Sequence, residues 1–307
     1  MVEQSGVLLL DSGSPYVPAP AALWEYNPYL PGMALFGLPR AVLGTGFLAD
    51  ARLWFGLVFL GAMFLAARTA AGRTGRRAVS WRVLGGSPSG SVLPALWLAA
   101  APVVALPLAV GGVDLPVIGL MCLALALAGR GGSGVGAGLA MGAAAALKWT
   151  AWPLLPVGLA LLLVTAGRRV AVRAALVAFA VSVLAVLPIA LAAPHTFAEH
   201  VLLFPLGEGG TGSPATSPLP GYLLTAHVPG GFVLAVAALV LSALGVAASL
   251  VVRPPRTTVA AADRLALGLA LAMCLIPATR FGYLVYPLVL VCWFRLTSAT
   301  RPTRERG

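Results

Sequence analysis

The stretch GAAAALKWTAWPLLP, residues 142–156, sets the only lysine of the chain, Lys148, between two apolar runs and beside two tryptophans. The other nineteen basic residues are arginines, most of them clustered between apolar segments. An unpaired ammonium in apolar surroundings is costly, so it calls for a partner or a use. What surrounds the stretch decides the fold. The 307 residues are 60% hydrophobic and 9% charged, and mean hydropathy is +0.96. Soluble domains run at about 45–50% apolar and about 25% charged. The composition excludes a water-soluble fold and predicts an all-α polytopic membrane protein, one integral membrane domain over 1–307, embedded in a lipid bilayer.

Nine apolar segments predict about nine transmembrane or re-entrant helices, near 52–67, 92–111, 115–129, 134–147, 150–166, 171–193, 230–252, 265–278 and 281–294. Residues 1–51 form an external lead. Its prolines, six of them before residue 40, allow at most one short helix near 3–10. Residues 194–229 form a large external loop, long enough to act as a lid. The lead lacks the basic start and long apolar core of a secretory signal. An external start is awkward to export, so a further span upstream of Met1, and a truncated gene product, are expected.

Placing the arginine-rich connections inside puts sixteen of the twenty basic residues there, Arg73, Arg76, Arg77, Arg82, Arg301, Arg304 and Arg306 among them. Arg40, Arg52, Lys148 and Arg280 remain outside. Seven of the nine acids, including Asp114 and Glu208, fall outside, with Asp263 and Glu305 inside. The expected placement is the cell membrane, with this chain's N-terminus extracytoplasmic and its C-terminus cytoplasmic. The net charge of +11 follows this topology and carries no aromatic-interleaved basic stripe, which excludes nucleic acid as a partner.

Chemistry is therefore sought on the outer face. The 134–147 run would rise only about 21 Å as a helix, against a hydrocarbon core of about 30 Å. Such short hairpins recess Lys148 and Arg280 below the outer surface, where they would form an electropositive pocket for a lipid phosphate. The opposing reading of Lys148 is a snorkelling lysine beside an aromatic belt of Trp149 and Trp152. Asp50 and Arg52, in FLADARLWF, read either as an interfacial ion pair or as a general base and a substrate contact. Asp11 and Glu25 are further candidate acids, and His200 and His227 candidate substrate contacts. His195, Glu199 and His200 make a weak metal set, and no metal site or cofactor is expected. Gly134, Gly138 and Gly142, four residues apart, read as close helix packing. Cys122, Cys274 and Cys292 read as small apolar residues.

Four strings, YNPYLPG, ADARLWF, GLAMGAAAALKWTAWPLLP and PATRFGYLVYP, together resemble actinobacterial members of glycosyltransferase family 87. That is the mannosyltransferase-like branch of the polytopic class C glycosyltransferases. The resemblance implies transfer of a sugar, commonly mannose, from a polyprenyl-phosphate donor to a glycolipid or glycan acceptor on the extracytoplasmic face. It also implies that no metal or nucleotide sugar is needed. The family's catalytic aspartate follows its first transmembrane helix. The stretch VEQSGVLLLDSGSPYV resembles what lies just after that aspartate, so Asp11 or Asp50 has taken the role or the base lies before Met1. Lys148 and Arg280 would carry over as phosphate contacts. The competing functions are a transporter or flippase of an anionic lipid or solute, which internal repeats would support, and an inactive truncated relative.

Overall fold

The computed structural model describes residues 1–71, 98, 100–206 and 215–299. Arg73, Arg76, Arg77, Arg82, Glu208, Arg301, Arg304, Glu305 and Arg306 lie outside the described residues, as does most of the first half of the 92–111 segment. The described chain is an all-α membrane fold. Helix α1 is Val2–Ser12, α2 Ala51–Ala71, α3 Pro102–Val110, α4 Asp114–Arg130, α5 Val135–Leu147 and α6 Leu154–Thr165. They are followed by α7 Arg168–Ala192, α8 Pro220–His227, α9 Gly231–Val252, α10 Thr258–Leu275 and α11 Val285–Ala299. Five stretches among the described residues are long and apolar enough to cross a bilayer: Ala51–Thr69, Arg168–Ala192, Gly231–Val252, Thr258–Leu275 and Phe281–Ser298. Helices α5 and α6 are shorter than a full span.

Two boundaries differ from the sequence expectation. Helix α10 begins seven residues early because Thr257 caps it, its hydroxyl accepting the Ala260 N–H at 3.1 Å. Arg264 and Asp263 therefore sit on a helix rather than in a connection. Arg264 donates to the carbonyls of Ser249 (2.9 Å) and Arg253 (2.7 Å), which closes the end of α9, and Asp263 pairs with Arg295 at 3.0 Å. In the lead, Pro39 starts a second short helix, Leu38–Leu43.

The small residues of α5 determine how it packs. A Cβ on Gly138 would lie 2.6 Å from the Ala174 carbonyl oxygen, and one on Gly142 would lie 2.8 Å from that of Ala178. Gly134 approaches the Val170 carbonyl in the same way, at 2.6 Å. Two four-residue repeats thus run against each other, and α5 lies backbone to backbone on α7. This contact fixes the axis that ends at Lys148.

The lead folds over that end. Leu30 N–H donates to the Leu147 carbonyl (3.1 Å), and Gly32 touches the backbone of Ala146. Asn27, buried, organises the turn: its side chain donates to Ser5 Oγ (2.9 Å) and accepts from Tyr29 N–H (3.2 Å). Its own N–H donates to Nδ1 of His200 at 2.9 Å. Since Nδ1 accepts, Nε2 carries the proton and donates to the Val17 carbonyl at 2.9 Å. His200 thereby joins the lead to the short helices Pro194–Ala198 and Glu199–Leu203, while Tyr26 donates to Glu199 (3.0 Å) and stacks on Phe204.

These two contacts generate predictions. Replacing Gly138 by Ala forces the backbones of α5 and α7 apart, costing about 1–3 kcal/mol, read as a lower Tm in detergent or nanodiscs. Burial holds the His200 ring below the usual histidine range, with the Val17 carbonyl and Glu199 opposing in smaller measure. The unfolded chain takes up that proton near pH 6.5. Stability from this joint is therefore complete above that pH and is lost as pH falls through the lower folded value. Between about pH 7.5 and about pH 5 the wild-type Tm should drop further than that of His200→Asn, whose amide oxygen accepts without titrating.

Candidate functional site

Two connections have the same local construction. Lys148 is extended (φ −156°, ψ 137°), and a tight 3-10 turn, Trp149–Ala151, follows before Pro153 caps α6. Arg280 is likewise extended (φ −132°, ψ 140°) and followed by the tight turn Phe281–Leu284, which runs into α11. Lys148 ends α5 directly, whereas Arg280 follows the end of α10 at Leu275 by a short non-helical stretch and precedes its turn. Arg280 is also held by the loop before α8. Thr279 N–H donates to the Ala215 carbonyl (2.8 Å), Ser217 N–H donates to the Thr279 carbonyl (3.0 Å), and Phe281 N–H donates to Ser217 Oγ (3.1 Å).

Both cations line one cavity of about 420 Å³. Tyr29, Thr150 and Tyr283 add further polar groups to its lining. Its apolar lining includes Leu239 from α9 with Leu269, Met273 and Ile276 from and just after α10. Trp24 of the lead and Phe204, which follows the short helix Glu199–Leu203, also line it. The cavity thus combines two cations with apolar side chains from two helices long enough to span a bilayer.

Lys148 is only 5% exposed, which rules out snorkelling toward an interface. Its Nζ donates to Asp114 Oδ1 at 2.6 Å. The same oxygen accepts the Tyr286 hydroxyl at 2.8 Å, and Tyr286 in turn accepts from Thr150 Oγ1 at 3.2 Å. The ammonium also lies 4.7 Å from the Tyr283 ring centre, 5.5 Å from that of Tyr29 and 6.0 Å from that of Tyr286. Aromatic faces attract a cation at about this range. Arg280 is exposed and, among the described residues, has no acid within ion-pair distance.

The remaining candidates lie elsewhere. Asp50 is half-buried and Arg52 exposed; they form an ion pair at 3.8 Å, and Asp50 Oδ1 accepts the Arg52 N–H at the start of α2. Asp11 is exposed on α1, and His227 is exposed at the end of α8. Asp11, Asp50, Arg52, His200 and His227 do not line the cavity. Glu25 binds the N–H groups of its own turn, Ala22 (3.0 Å) and Ala21 (2.7 Å), which hold its carboxyl below the usual range. Cys122 is buried, and Cys274 and Cys292 are half-buried free thiols.

Sequence reasoning did not single out Asp114 or the three tyrosines. A signal was available for each. Asp114 is an acid opening an apolar segment on the same predicted face as Lys148. Tyr29 belongs to YNPYLPG, and Tyr283 and Tyr286 belong to FGYLVYP.

No curated protein and no solved structure matches the chain. The family model described as Glycosyltransferase family 87 matches residues 27–277. That range holds Asn27, Tyr29, Asp114 and Lys148, and stops just before Arg280, Tyr283 and Tyr286. With most of its length covered and an all-α, bilayer-spanning architecture around a cation-lined cavity, this chain belongs to glycosyltransferase family 87, a family of membrane glycosyltransferases.

Proposed function

We propose that the chain transfers a sugar, mannose in the first instance, from a polyprenyl-phosphate donor to a glycolipid or glycan acceptor on the extracytoplasmic face. One observation carries this reading: a single cavity combines two cations with an apolar wall formed by two bilayer-length helices. A lipid-linked sugar phosphate has the same division. Its phosphate would lie between Lys148 and Arg280, and its prenyl chain would run along Leu239, Leu269 and Met273 into the bilayer.

In this reading the acceptor oxygen attacks the anomeric carbon, and the bond from that carbon to the phosphate oxygen breaks. The acceptor proton passes to a base, and the polyprenyl phosphate leaves with the electron pair. Negative charge grows on the phosphate in the transition state, and preorganised cations in a water-poor site lower its energy most there. The cations are thus assigned leaving-group stabilisation. Asp11 and Asp50, away from the cavity, receive no role in it.

A transfer assay in proteoliposomes, with radiolabelled polyprenyl-phosphate mannose and membrane extract as acceptor, tests the proposal. Arg280→Ala changes an exposed side chain and should leave the fold intact. It should lower turnover by about 10²–10³-fold, as should Lys148→Gln. Unchanged turnover in Arg280→Ala would overturn the assignment.

A further inference from the structure

We propose that Asp114 is a positioning residue: it keeps the Lys148 ammonium charged and aimed at the cavity, so that the lysine meets an anionic oxygen without moving. This rests on the reading of the cavity as a phosphate site.

Three features of the site support it. First, Asp114 is itself held in place. It opens α4, where a carboxylate also favours the helix N-terminus, and the Tyr286 hydroxyl, backed by Thr150, fixes Oδ1. Second, the carboxylate that holds the ammonium is not itself part of the cavity lining, whereas Lys148 is. An ammonium has three donors. Asp114 takes one, and among the described residues no second acceptor lies within hydrogen-bond distance, so two remain for a ligand. Third, the surroundings do not hold the charge without Asp114. The groups facing Nζ are Asp114 from α4, Tyr29 from the lead, Tyr283 from the tight turn and Tyr286 from α11, with Arg280 on the same cavity. Without that carboxylate, the buried ammonium has, among the described residues, aromatic rings around it and a second cation lining the same cavity. It then gives up its proton more readily or swings away.

The test is binding of a long-chain polyprenyl phosphate to the full chain in nanodiscs, followed by quenching of the cavity tryptophans Trp24 and Trp149. Asp114→Asn should weaken the probe about tenfold relative to wild type near pH 8, the loss of a charge-assisted contact. Near pH 6, compared with wild type at the same pH, the deficit should shrink as the ammonium regains its proton. A merely structural role would not produce that dependence. Asp114→Asn with Lys148→Gln should bind no worse than Lys148→Gln alone, since both changes remove one interaction. That comparison retains its force if Asp114→Asn alone does not fold. Binding by Asp114→Asn as tight as wild type, a deficit equal at both pH values, or a double variant weaker than Lys148→Gln would each overturn the role. Loss of binding in Arg280→Ala with none in Asp114→Asn would keep the phosphate reading and reject the role of Asp114. A wild type that does not bind the probe would reject both.

Discussion

The site is arranged around one charge pair, the buried Lys148 with the half-buried Asp114, 2.6 Å apart, with three tyrosine rings around the ammonium. Desolvating two charges costs about as much as their attraction returns, so a buried pair adds little net stability. Breaking one is different, because the remaining charge is stranded at about 3–5 kcal/mol. The pair therefore constrains more than it stabilises. It requires the start of α4, the end of α5 and the start of α11 to meet at one point, because Tyr286 shares the same carboxylate oxygen.

The surrounding structure meets that requirement by short-range means. Glycine spacing along α5 lets it lie on α7 at backbone distance, which fixes where its last residue falls. Extended backbone then turns Lys148 out of the end of α5 and carries Arg280 into the tight turn before α11. The lead folds over the end of α5 through Asn27, and His200 ties the lead to the short helix Glu199–Leu203 with both ring nitrogens used. His200 lies far in sequence from the cations and does not line the cavity, yet it joins two segments that do.

Parts of the site were legible in the sequence because their cause is local. Lys148 and Arg280 stood out as cations at the tips of short hairpins, and one cavity holds both. Gly134, Gly138 and Gly142 announced a close helix contact, and α7 supplies it. The early start of α10 was less visible, since Asp263 and Arg264 look like connection residues until Thr257 caps a helix ahead of them. His200 looked like a ligand because a histidine in a long polar loop carries no mark of burial. Its partners, Asn27 and Val17, are over 170 positions away.

The sequence by itself determined an all-α membrane protein, which segments are apolar and where charge interrupts them. These follow from composition and period, and each residue contributes independently of the fold. Only the tertiary structure decided which acid answers which cation. Asp114 and Lys148 are 34 positions apart and Asp114 and Tyr286 are 172 apart, and no spacing rule links residues at those separations. The stretch ALKWTAWP displayed a charge that needed a partner. Helix packing then supplied it, because only the ends of α4, α5 and α11 bring a carboxylate within reach of that ammonium.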